Sequence, residues 1–81
     1  MAAIHHRIAA RIRRDPAVIA ESRQRLVRLM AREPAPADPV LCEWLDLLLM
    51  ALPDQIADFI ESGTPRARRL RTSSPLLWLA R

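Results

Sequence analysis

Asp38–Gly63 reads DPVLCEWLDLLLMALPDQIADFIESG, and the proline signals in it decide the fold class. Proline suits the first position of a helix, where its missing N–H would be unbonded anyway, and a preceding Asp, Ser or Thr can accept from the other free donors. Asp38-Pro39 therefore starts one helix, over about Pro39 to Ala51. Pro53, with Asp54 placing a carboxylate in the first turn, starts another over about Pro53 to Ser62. In the first, Leu41, Trp44, Leu45, Leu48 and Leu52 recur at core spacing, while Leu47, Leu49 and Met50 widen the stripe nearly around the cylinder. A helix apolar on so many sides predicts burial by more than one neighbour. The second turns Ile56, Phe59 and Ile60 inward and Asp54, Asp58 and Glu61 outward. Gly63, the only glycine, stands where a left-handed cap would end it.

Working outward, the same pairing recurs at Asp15-Pro16, Thr64-Pro65 and Ser74-Pro75. A first helix over about Ala3 to Arg14 places Ile4, Ile8 and Ile12 on one face and arginines on the others. A second, over about Pro16 to Arg32, carries Ile19, Leu26 and Met30, flanked by Val27, opposite Arg25, Arg28 and Arg32. Glu33 to Asp38 alternates Ala with Pro34 and Pro36 and reads as a stiff extended linker. Thr64 to Arg71 is a short basic helix or turn, and Pro75 to Ala80 an apolar tail holding Leu76, Leu77, Trp78 and Leu79. No period-2 run or hairpin turn suggests a strand. The expectation is one all-α domain over residues 1–81, a small bundle of four to five short helices. Its parts are a basic N-terminal arm (1–32), the linker (33–38), an apolar and acidic helical core (39–63) and a basic, apolar C-terminal tail (64–81).

All 13 basic residues are Arg, against 9 acids, for a net charge of +4. The charge is segregated. Residues 1–32 hold eight Arg against Asp15 and Glu21, residues 33–63 seven acids and no Arg, and residues 64–81 five Arg and no acid. A basic arm and tail thus flank an acidic centre, suited to an acidic surface or to phosphate. An 81-residue chain has a marginal core of its own, which favours a partner or self-association into a homo- or hetero-oligomer. The lone Cys42 forms no internal disulfide and reads as a small buried hydrophobe. With no signal-peptide pattern at the start and no apolar run long enough to span a bilayer, the expected setting is the cytoplasm, without membrane insertion.

Catalytic chemistry finds little footing. His5 and His6 are adjacent, point about 100° apart on a helix, and read as a solvated pair rather than metal ligands. Cys42, Ser62, Ser73 and Ser74 lack a histidine base outside the first turn of the chain. One glycine excludes a glycine-rich phosphate loop. The expectation is a non-enzyme without metal or cofactor. For nucleic acid, the arm (Arg7, Arg11, Arg13, Arg14) and the tail are attractors, but a helix-turn-helix across the third and fourth helices would offer Asp54, Asp58 and Glu61 to phosphates. Trp44 sits within a Leu stripe and reads as core. Trp78 can anchor in a partner's pocket or fold back onto its own core.

The run Arg68-Arg69-Leu70-Arg71-Thr72-Ser73-Ser74-Pro75, preceded by the acidic helix and by a Leu-rich helix bearing Glu43-Trp44, resembles small bacterial proteins that form the antitoxin-like member of two-gene toxin–antitoxin pairs. The likeness covers roughly Asp15 to Leu76; Leu76 stands where that pattern commonly has Phe. It implies a non-enzymatic inhibitor that binds a cognate toxin, of the nucleotidyltransferase-like class or a ribonuclease. The residues it points to for partner binding are Arg66, Arg68, Arg69, Arg71, Ser73 and Ser74, with Leu76 and Trp78 as anchors. Two other readings stand beside it: an arginine-rich nucleic-acid-binding module or small dimeric regulator, and an assembly subunit sealed by its Leu47 and Leu49 face.

Overall fold

A computed structural model describes residues 2–32 and 38–80. The described residues form five α-helices and a closing 3-10 turn, with no strand: α1 Ala2–Arg14, α2 Val18–Ala31, α3 Pro39–Met50, α4 Pro53–Glu61, α5 Pro65–Arg71, and η1 Leu77–Ala80. The Pro-rich linker expected at 33–38 lies outside the described residues, except for Asp38.

Three of the expected starts hold, two of them for the anticipated reason. The Asp38 carboxylate accepts from the Val40 N–H at 2.9 Å, and the Thr64 hydroxyl accepts from the Ala67 N–H at 3.2 Å. At Pro53 the help comes from inside the helix, where Gln55 Oε1 accepts from the Leu52 N–H at 2.8 Å. Asp15-Pro16 differs. The Asp15 N–H closes onto the Arg11 carbonyl, residues 15–17 form a turn, and α2 begins at Val18 without a side-chain cap. Ser74 accepts from the Leu76 N–H, but the tail beyond it winds into a single 3-10 turn rather than an α-helix. Gly63 does not take a left-handed conformation either. The chain leaves α4 through an extended Ser62, whose N–H bonds to the Phe59 carbonyl.

α1 packs on α4 and on η1, while α2 packs on α3. Arg23 reaches Leu48 and Val27 lies beside Leu45, so α2 and α3 run in opposite directions. One core joins the helices: Ile8 and Ile12 from α1, Ile19 and Leu26 from α2, Trp44 and Leu48 from α3, Ile56 and Ile60 from α4, Leu70 from α5, and Leu76 and Leu79 from the tail. Trp44 at its centre is fully buried, donates its Nε1–H to the Leu70 carbonyl at 2.9 Å, and meets the Phe59 ring edge-on at 6.4 Å. A buried indole with its N–H satisfied ties α3 to α4 and α5 in one side chain.

Two expectations about burial are corrected. His5 is not solvated but buried, at 2% exposure, while His6 is exposed and contacts Glu61. The all-round apolar α3 is not covered on all sides: Leu49 is 56% and Met50 85% exposed. Its neighbours cover the Trp44 and Leu48 side, and the described residues leave Leu49 and Met50 largely uncovered.

Candidate partner-binding surface

The tail arginines lie on or beside α5, and most of them turn back into the fold. Glu43, on α3, receives Arg69 through both terminal nitrogens, at 3.0 and 3.1 Å, and Arg66 through Nε at 3.4 Å. The paired guanidinium of Arg69 holds the Glu43 carboxyl below its usual range and raises Arg69 itself, each favouring the charged partner. Arg66 also stands over the Phe59 ring at 5.3 Å. Arg71 Nη1 donates to the Ile60 and Ser62 carbonyls, at 2.9 and 2.6 Å, so a cation closes the unbonded carbonyl end of α4. Arg68 is the tail arginine left on the surface without an ion pair among the described residues.

The expected anchors are also internal. Leu76 is fully buried, so it is a core residue rather than a surface anchor. Trp78 takes the fold-back option: it packs against the core, with the Arg25 guanidinium 3.9 Å above its ring and its own Nε1 buried and unbonded. Ser73 is exposed, and Ser74 is half-buried and occupied in capping the tail turn.

In the arm, α1 divides its cations by face. Arg13 is taken by Asp58 and Glu61 of α4, which raise its pKa through those hydrogen bonds, and His6 joins Glu61. Arg7, Arg11 and Arg14, spaced i, i+4, i+7, form a stripe on the side away from Ile8 and Ile12. That stripe runs about 10 Å along the helix and makes no ion pair among the described residues.

The sequence singled out the Leu47 and Leu49 face of α3, but not the groove that Leu49 forms with α2. Ala20, Arg23, Gln24, Val27 and Arg28 from one helix face Leu45 and Leu49 from the other across a groove of about 400 Å³. Its floor is apolar and its rim cationic. Val27 and Leu49 are each more than half exposed, whereas Leu26 and Leu48 beneath them are buried. The signal available in the sequence was the surplus of leucine on α3, more than helices of this length can cover. Cys42 is a half-buried free thiol. Among the described residues no cluster of His, Cys, Asp and Glu could hold a metal ion, and no helix is long and apolar enough to cross a membrane.

No family model, curated protein or solved structure matches the chain.

Proposed function

We propose that this chain is a non-catalytic binding protein that works by protein–protein contact, and that it is the antitoxin partner of a toxin encoded beside it. The observation that carries the reading is the α2–α3 face, where exposed Val27 and Leu49 and half-buried Leu45 meet the cationic rim of Arg23 and Arg28. Apolar side chains left open beside arginine are the composition of an interface core and its hot spots. The likeness of the Arg68–Pro75 run to antitoxin-like proteins supplies the toxin. In this reading α5 and the tail serve as the brace that holds α3 and α4 in register, and the inhibitory contact lies on α2 and α3.

The test is co-expression of the tagged chain with the product of the adjacent gene, followed by purification with and without nuclease. The expected result is a nuclease-resistant, near-stoichiometric complex, with growth arrest by the neighbour alone relieved by this chain. Recovery of nucleic acid alone, with no protein left after nuclease, overturns the reading.

A second reading, nucleic-acid binding, rests on the Arg7-Arg11-Arg14 stripe, whose guanidiniums make no ion pair among the described residues and follow one another along α1 as successive phosphates would require. Its mark is an affinity for duplex DNA that falls steeply with salt. The two readings are compatible, since they use different parts of the molecule.

A further inference from the structure

Resting on the protein-binding reading, we propose that the α2–α3 groove receives an amphipathic helix of the partner, apolar along one stripe and acidic along its flanks. The floor is supplied by Val27, Leu45 and Leu49 with Ala20 at one end. Between Ala20 and Val27 the groove follows α2 for two turns, about 10 Å, room for apolar side chains one turn apart on a docked helix. This is the helix-in-groove mode, in which two helices present a trough and a third lays its apolar face in it. The fully buried Trp44 and Leu48 lie below, so the trough is held open by the core rather than by the partner.

Charge fixes the chemistry of the occupant. Among the described residues no acid lines the groove; its polar members are Arg23, Gln24 and Arg28. Arg23 is tethered by Nη1 to the Leu48 carbonyl at 3.3 Å, which sets its head at the rim, and it makes no ion pair among the described residues. Arg28 makes no ion pair among the described residues. Two guanidiniums beside an apolar floor select carboxylates on the flanks of an apolar stripe. A second copy of this chain fits less well, because α2 brings Arg23 and Arg28 to that face and its Glu21 is already held by Arg25. Docking like on like would set arginine against arginine. Phosphate polymers would satisfy the rim and leave the Val27, Leu45 and Leu49 floor open to water.

The experiment uses the full chain and a fluorescein-labelled amphipathic helical peptide with a leucine stripe flanked by glutamates, beside a twin flanked by lysines. Fluorescence anisotropy should show saturable binding of the glutamate peptide and none of the twin. Leu49→Asp should abolish binding, and Arg28→Glu should weaken it about tenfold, with both variants keeping the far-UV spectrum and melting temperature of the parent. Equal binding of the two peptides, or binding indifferent to both substitutions, overturns the inference. So does a dimer in sedimentation that Leu49→Asp dissociates, which would make a second copy the occupant. The co-expression complex separates the two proposals. If the neighbouring gene product binds wild-type and Leu49→Asp chains alike, the groove inference fails and the protein-binding reading stands. If the peptides discriminate as expected but no protein partner is recovered, the groove inference stands and the antitoxin reading fails.

Discussion

Trp44→Phe is the substitution whose effect the structure defines most fully. The indole is completely buried, and its Nε1–H bonds to the Leu70 carbonyl at 2.9 Å. That carbonyl also accepts from the Ser73 N–H at 3.2 Å, so removing the indole donor does not orphan it. The hydrogen-bond loss is therefore about 1 kcal/mol, not the larger penalty of a stranded buried acceptor. Phenylalanine keeps a ring against Phe59 but leaves unfilled part of the space the indole occupied. Complete truncation of a buried Trp costs about 3 to 5 kcal/mol, and this partial deletion about 1 to 2. The sum is about 2 to 3 kcal/mol, a large fraction of the roughly 4 to 12 kcal/mol that holds a domain of this size together. Thermal and urea unfolding followed by far-UV circular dichroism should show a fall in melting temperature of about 10 to 20 °C. Val27→Asp, on the exposed groove floor, provides the contrast and should stay within about 0.5 kcal/mol of the parent. A Trp44→Phe loss no larger than that of Val27→Asp would refute the placement of Trp44 as the joint between α3 and α5.

The same contacts set four further outcomes. Glu43, held below the ordinary carboxylate range by Arg69, contributes stability that is present above its unfolded pKa of about 4.3 and lost as pH falls through its lower folded value. Glu43→Gln should therefore flatten the acid limb of the stability-versus-pH curve, and an acid limb as steep as the parent's would count against the clamp. Arg71→Ala strips the cation from the Ile60 and Ser62 carbonyls and should cost about 1.5 to 3 kcal/mol in urea denaturation; a loss under about 0.5 kcal/mol contradicts the bridge. Asp38→Ala removes the cap of α3 and should cost about 1 kcal/mol, which Asp38→Asn should largely restore. Replacing Arg7, Arg11 and Arg14 by Gln should leave the melting temperature unchanged and, under the nucleic-acid reading, lower the salt slope of duplex-DNA binding by about 2 to 3. An unaltered slope retires that reading.

What the sequence made legible was local chemistry. Asp38, Thr64 and Pro53 announce helix starts because cap and first turn are neighbours in the chain, and the i, i+4 isoleucines of α1 announce its buried face in the same way. The failures share a cause at longer range. Asp15 has the composition of a cap, yet its N–H is drawn into the end of α1, and the turn to α2 is set by how the two helices lie. His5 and His6 are indistinguishable as sequence; the packing of α1 against α4 and η1 buries one and sets the other beside Glu61. Gly63 offered a left-handed cap that an extended Ser62 made unnecessary. For the tail, no local pattern says that Glu43 will meet Arg69 across 26 residues, or that Arg71 will find the end of α4.

The three charge blocks carry more meaning once their pairings are removed. Arg66 and Arg69 are balanced by Glu43, Arg13 by Asp58 and Glu61, Arg25 by Glu21, and Arg71 by two carbonyls. The acidic centre thereby uses much of its charge to draw the arm and tail onto the core. Among the described residues the cationic charge that survives lies on α1, on α2 and at Arg68, while exposed Asp15, Asp46 and Asp54 remain outside any ion pair. Apolar surface survives in a different set of places: Val27, Leu29, Leu49, Met50, Leu52 and Leu77. Free charge alone describes much of the α1 surface, and open apolar side chains alone describe the α3–α4 corner; neither is unusual on a small helical protein. The two remainders meet along α2: Val27 and Leu49 with Arg23 and Arg28 in the α2–α3 groove, and Leu29 with Arg28 and Arg32 beside it. An exposed leucine costs solvation and an unpaired arginine adds repulsion, so their concentration in one trough is best explained by a partner that relieves both together. That argument moves the proposed contact away from the conspicuous Arg-rich run, which the fold uses as a brace, to the α2–α3 groove.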